Sequence, residues 1–266
     1  MHYLLSHRTT YTYASSVDSA HHIAHLRARP FPGQTVTSIG LTAQPTPSMA
    51  VQHVDHFGNL IDILRIDQPH QRFDIEVRAA VEVSFPVPPP ANETPPWEEI
   101  RKVLIGDGFP KPVEASEFVH DSPLLPFDEA LKAYGAQSLT PGRPILEAAR
   151  ELTTRIKADF EYHPGATDIS TPLHEVFEGK AGVCQDFAHV MIAALRAHGL
   201  AAGYVSGYIR TVHSAEEIAL RGSDASHAWS QYGAAMKPAG SISTRPTTWS
   251  RTRTMSPSPG AATSPT

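Results

Sequence analysis

Apolar and polar residues alternate in period two from the start of the chain. Tyr3, Leu5, His7, Thr9, Tyr11 and Tyr13 fall at every second position, the spacing that turns one face of a strand inward. Ile39, Leu41 and Ala43 repeat it before the turn Pro45-Thr-Pro47. Phe57-Gly58-Asn59 is a turn signal between two short strands, and the run from Phe73 to Phe85 alternates throughout. Short strands at this spacing predict a sandwich-like β domain over residues 1–85.

The period then changes. Pro86–Pro90 and Pro95-Pro96 read as a stiff connector, and residues 86–143 read as that connector plus a helical linker. Behind Pro144, the residues Ile145, Ala148, Leu152 and Ile156 fall at helical spacing. Cys184 to Ala197 predicts a second helix with Phe187, Val190, Ala194 and Leu195 on one face, closed by His198-Gly199. Ala202 to Ile209 reads as a strand. The expected fold is α+β: a sandwich-like N-terminal β domain, then a C-terminal part in which helices precede a strand.

Composition narrows the function. With 41% hydrophobic and 18% charged residues, the chain of 266 residues has the make-up of an ordinary globular protein. The formal net charge is -5 and no Lys/Arg cluster forms a stripe, so no nucleic-acid partner is expected. No apolar run reaches the ~20 residues a bilayer demands, and Met1-His-Tyr-Leu-Leu-Ser-His-Arg lacks the pattern of a signal peptide. The expectation is a cytoplasmic protein with no membrane partner.

One cysteine, Cys184, opens the second helix within Gly182-Val-Cys-Gln-Asp-Phe-Ala-His189. The unpaired amides and positive dipole end of a helix start favour the thiolate, the nucleophilic form. His227, in Ser226-His227-Ala228-Trp229, is where a partner base is sought. Composition alone leaves a lone cysteine equally open to being a small buried hydrophobe. His189 would share Cys184's own helix, a poor geometry for its base, and Asp186 reads as a first-turn dipole partner. His21, His22 and His25 lack an acidic or sulfur partner for a metal, and His53 and His56 read as strand and turn surface. No metal or cofactor is expected.

Four segments in order carry a resemblance. Phe160-Glu-Tyr-His-Pro-Gly-Ala-Thr-Asp-Ile-Ser-Thr-Pro-Leu173, the Cys184 octet, Tyr204-Val-Ser-Gly-Tyr208 and Ala225-Ser-His-Ala-Trp229 resemble the bacterial transglutaminase-like family. The segment from His2 to about Val83 looks like the β-rich N-terminal domain that accompanies it. The resemblance implies an α+β fold whose second part is a papain-like core over residues 144–229, with the nucleophile at a helix N-terminus packed on an antiparallel sheet, and in it a Cys-His-Asp arrangement. Cys184 would be the nucleophile, with its backbone N–H helping to bind the oxyanion, and His227 would be the base. The implied reaction is acyl transfer through a Cys184 thioester on a peptide, isopeptide or glutamine amide of a protein or peptide substrate. Hydrolysis, as a peptidase or amidase, is favoured over transfer to an amine, as a transglutaminase; a non-catalytic binding or assembly module is the reading from another class.

The third member of the triad is missing. After Asp224 the chain has no acidic residue, and residues 230–266 read as a disordered tail without core alternation. The family should continue from His-Ala-Trp into a Gly-Trp-x-Asp-x-Asp-Pro-Thr-Asn type of segment. Back-translated one frame over, Ala239–Ser243 permits Gly-Trp-Ile-Asp-Phe, Ser243–Thr247 permits Asp-Pro-Thr-Asn, and Trp249–Ser256 permits Val-Glu-Asp-Glu-Asp-His-Val. A match in register along the whole segment predicts that the chain from about Ser230 is a frame-shifted translation. It places the lost Asp codon across Ser243 and Thr244, which makes this copy's activity doubtful.

Overall fold

A computed structural model describes residues 1–85, 87–106, 113–208, 226–233 and 249–252. The chain divides into two compact units, Met1–Val87 and Pro88–Thr266.

The first unit is two three-stranded antiparallel sheets. One orders β1 (His2–Val17), β6 (His70–Val83) and β3 (Gln34–Gln44), with β6 central; the other orders β2 (Ala20–Ala24), β5 (Leu60–Ile66) and β4 (Met49–Val54), with β5 central. On β6 the expected alternation is plain: Phe73, Ile75, Val77, Ala79 and Val81 are buried. Asp74 and Glu76 on the other face pair with Arg72 and Arg78. Phe73 and Ile75 meet Leu64 and Ile66 of the second sheet, so burial of the two apolar faces holds the sheets together. The turn at Phe57-Gly58-Asn59 is closed by Asp55, whose carboxylate accepts from the Asn59 backbone and side chain at 2.7 and 2.8 Å.

The sequence reading leaves out β2 because three histidines mask its alternation. His22 is an inward position: its ring lies flat on Phe73, with centroids 3.9 Å apart. Its Nε2 and that of His70 are buried with no hydrogen-bond partner among the described residues.

The second unit comprises α1 (Trp97–Ile105), α2 (Val113–Ser116), α3 (Glu129–Ala136), α4 (Ile145–Asp159), β7 (Glu161–Tyr162), α5 (Leu173–Gly179), β8 (Ala181–Gly182), α6 (Cys184–Arg196), β9 (Ala202–Tyr208), β10 (Ser226–Gly233) and β11 (Trp249–Thr252). Helix α6 is central, with Phe187, Val190, Met191, Ala194 and Leu195 fully buried. Against it pack α4, through Ile145, Ala149, Leu152 and Ile156, and the antiparallel sheet β11-β10-β9.

Two expectations are corrected. Residues 86–143 are not a linker beyond the connector itself. Ile100, Leu104, Val119, Leu125, Leu131 and Tyr134 sit in the same core as α6. Backbone bonds from Trp97 to Arg143 and from Ile145 to Pro95 tie the segment's two ends together. Its helices are short and interrupted by proline, so each shows one or two apolar positions where a longer helix would show a stripe. Nor does the core end at Trp229. Ala228, Ser230 and Tyr232 are buried at alternate positions of β10, and Ser230 hides the pattern because its hydroxyl is satisfied by the Met191 sulfur at 3.0 Å. Of the expected tail, residues 234–248 and 253–266 lie outside the described residues.

Burial lowers the His22 pKa below its ordinary 6.5, reinforced by His70 and His21. The unfolded chain therefore takes up this proton first. The stabilisation is complete above about pH 6.5 and is lost as pH falls through the lowered value. Urea melts of the full chain should show the first unit weakening between pH 7 and 5. His22→Phe, which keeps the ring on Phe73, should flatten that slope; an unchanged slope would rule out His22 as its source.

Candidate active site

The start of α6 is fixed by one carboxylate. Val183 is extended (φ -118°), and the helix begins at Cys184 with Phe187 N–H donating to the Val183 carbonyl. The amides of the first turn have no acceptor within a helix. Asp186, in that turn and only 4% exposed, reaches back so that its Oδ2 accepts from the Val183 N–H at 2.8 Å. The same oxygen accepts the Thr167 hydroxyl at 2.6 Å. Asp186 is thus more than a dipole partner: it joins the loop that carries Thr167 to the turn that presents Cys184. This shared oxygen packs so closely beneath Gly182 that a Cβ there would stand 2.5 Å from it.

The approach to Cys184 is braced on its other side by β7 and β8, a short parallel pair. Glu161 donates to the Lys180 carbonyl and His163 to the Gly182 carbonyl. Lys180 adopts a left-handed conformation at the end of α5, and its Nζ lies 3.4 Å from the Phe177 ring centroid, with Phe160 and Tyr134 beyond. These cation–π contacts fix the corner from which β8 leads into the cysteine.

Cys184 is half-buried on the first residue of α6. Two tyrosines flank it. Tyr162, in register with Gly182, rests its ring against Phe187. Tyr204 of β9 sets its ring 5.4 Å from His189. Burial raises both hydroxyl pKa values, Tyr204 to about 12, and a negative Cys184 raises each further. The tyrosines therefore stay protonated at neutral pH as potential donors beside the thiol. His189 is held neutral, its pKa lowered by burial against the opposing pull of Asp186.

His227 lies on β10 opposite Gly207 of β9. Strand β10 packs on α6, where Ser230 meets Met191. Met191 is two turns along from Cys184, so the two expected site residues stand on elements that share one packed interface. His21 and His22, adjacent on β2, point to opposite faces of their strand, and among the described residues no three His, Cys, Asp or Glu side chains gather as a metal site. No described helix is long and apolar enough to cross a membrane. The sequence reading missed Thr167, Tyr162 and Tyr204. The Pro-Gly turn and the Thr-Asp pair of residues 164–168 are the one local hint of a built loop.

If the shared oxygen sets the turn, Gly182→Ala should destabilise the chain by about 1–3 kcal/mol through overpacking. Most of that loss should vanish in an Asp186→Ala background, because the clashing atom is gone. A double-mutant cycle from urea melts reads the coupling; additive losses would show that the close approach carries no energy.

The chain is similar to known proteins along most of its length. The family described as "Bacterial transglutaminase-like N-terminal region" matches residues 3–82, and "Transglutaminase-like superfamily" matches residues 132–238. Uncharacterized protein Rv2569c of Mycobacterium tuberculosis is 37% identical over 89% of this chain and 74% of its own length. Uncharacterized protein ML0607 of Mycobacterium leprae is 26% identical over 85% and 77%. The fold is shared with the "Putative Cysteine Protease" from Cytophaga hutchinsonii, with a TM-score of 0.66 at 19% identity, covering 88% of this chain and 75% of that one.

Proposed function

This chain belongs to the transglutaminase-like superfamily, carrying both the bacterial N-terminal region and the core, and on that premise we propose that it is built for cysteine-dependent acyl transfer, with hydrolysis as the outcome. The observation that carries the reading is Cys184 at the first position of a buried helix that packs on the strand bearing His227.

In this mechanism His227 takes the proton from Cys184, and the thiolate sulfur attacks the carbonyl carbon of a peptide, isopeptide or glutamine amide. The carbonyl oxygen becomes an oxyanion and accepts from the Cys184 backbone N–H. Collapse breaks the C–N bond, His227 returns its proton to the leaving nitrogen, and a thioester remains. Water, deprotonated by His227, then releases the acid and the thiol. The substrate is a protein or peptide, and none of these steps needs a metal or organic cofactor.

The orienting carboxylate of the triad is absent from this copy. We attribute that to a change of frame near Trp229, with the Asp codon spread across Ser243 and Thr244. Without such a carboxylate an imidazole takes the wrong tautomer, and in serine proteases the comparable change costs on the order of 10⁴ in rate.

Two measurements test this. Sequencing the gene should reveal Asp-Pro-Thr-Asn in the alternative frame; any other sequence there ends the frame-shift reading. Restoring that frame after Trp229 and assaying both versions for ammonia release and peptide cleavage should give the restored chain the larger rate, by about 10³–10⁴. Cys184→Ser should abolish it. If the restored chain cleaves nothing and Cys184 reacts with iodoacetamide no faster than a free thiol, the fold serves binding or assembly. Incorporation of an amine in preference to water would make the chain a transglutaminase.

A further inference from the structure

Beside the first turns of α6 lies a cavity of about 230 Å³. Its floor is Gln185, Asp186 and His189, and its walls come from the start of α5, where Leu173 and Val176 face it, and from the segment holding Leu124 and Pro126. Ile169 closes the rim. An apolar cavity of ~150 Å³ holds benzene, so this one has room for an aliphatic or aromatic side chain.

Its surroundings point to an occupant. Large apolar side chains exposed in this unit include Leu124 at 67% and Ile169 at 85%, and both sit at this cavity. Tyr162 and Tyr204, exposed at 40% and 42%, flank the adjoining thiol. Exposed apolar groups gathered in one place mark a binding surface. Of the titratable groups in its lining, the Asp186 carboxylate serves Val183 and Thr167, His189 sets its ring at a tilt against Tyr204, and His174 lies exposed at the solvent side. The cavity lies beside the nucleophile's turn, since Gln185 and Asp186 of its lining immediately follow Cys184 on the helix.

We propose that this cavity is a side-chain subsite that seats a medium-sized aliphatic or aromatic residue of the acyl donor, next to the residue whose carbonyl meets Cys184. The assignment rests on Cys184 being the acyl-accepting nucleophile. It makes the substrate class a peptide with a bulky apolar residue close to the reacting bond.

The test uses the full chain and alkylation of Cys184 followed by intact-mass spectrometry. Acetyl-Leu-Gly, acetyl-Glu-Gly and acetyl-Lys-Gly chloromethyl ketones each alkylate the sulfur with loss of chloride. Iodoacetamide, which has no side chain to seat, gives the reference rate in each variant. Relative to that reference, the leucyl reagent should react about tenfold or more faster than the glutamyl and lysyl reagents, the discrimination expected of an apolar pocket. Leu124→Asp and Ile169→Asp, both at exposed positions, should erase most of that preference. Equal relative rates for all three reagents overturn the subsite, as does a preference that survives both substitutions.

A Cys184 that iodoacetamide attacks no faster than a free thiol overturns the nucleophile instead. The subsite is then decided by calorimetric titration with the unreactive acetyl-Leu-Gly-amide. Binding that Leu124→Asp removes upholds it, and no binding to the native chain ends it.

Discussion

A single buried oxygen, Asp186 Oδ2, holds the start of α6 in place. It accepts from a backbone amide three residues behind it, just past the end of β8, and from a hydroxyl nineteen positions earlier in the chain, and it leaves no room for anything but glycine at 182. A buried carboxylate is stable only when its lone pairs are used, so the three parts are mutually required. The loop needs the carboxylate, the carboxylate needs the turn, and the turn needs the missing Cβ. Hydrogen bonds to an ionised group are the stronger kind, which suits a position where a displacement of one ångström would move the thiol.

Behind that turn α6 runs as a buried rod between α4 and the β9–β10 sheet. Its small residues, Ala188, Ala193 and Ala194, let neighbours approach closely, while Phe187, Met191 and Leu195 fill the gaps. Met191 does two jobs: it packs in the apolar core and offers its sulfur to Ser230 and to Thr153. A soft thioether can take part in such weak polar contacts without the penalty of a strong unsatisfied acceptor. The site is thus mounted on a rigid element, with its more exposed groups at one end.

The larger periodic features were legible in the sequence. The alternation of Phe73–Val81 and the helical spacing of Ile145, Ala148, Leu152 and Ile156 both appear as burial patterns in the structure. What escaped notice depended on distance along the chain. The Thr167–Asp186 bond joins two residues unremarkable by themselves, and Tyr204 faces His189 only because β9 returns beside α6. The core role of Ile100, Leu104 and Leu131 was hidden by prolines that shorten their helices. Ser230 read as polar tail because a hydroxyl's partner, here a sulfur, is invisible in one dimension. The cavity, made by three separate stretches, has no linear signature at all.

Strand β11 pairs with β10 through Ser230 to Thr252 and Gly233 to Trp249, in an antiparallel ladder of main-chain groups. Such a ladder does not read side chains, so the free margin of β10 can be satisfied by a stretch such as Trp-Ser-Arg-Thr that holds no alternating apolar residues. A sheet margin is in that sense an indiscriminate receptor. A segment can therefore close the backbone's polar ladder while adding no apolar face to the core beneath it.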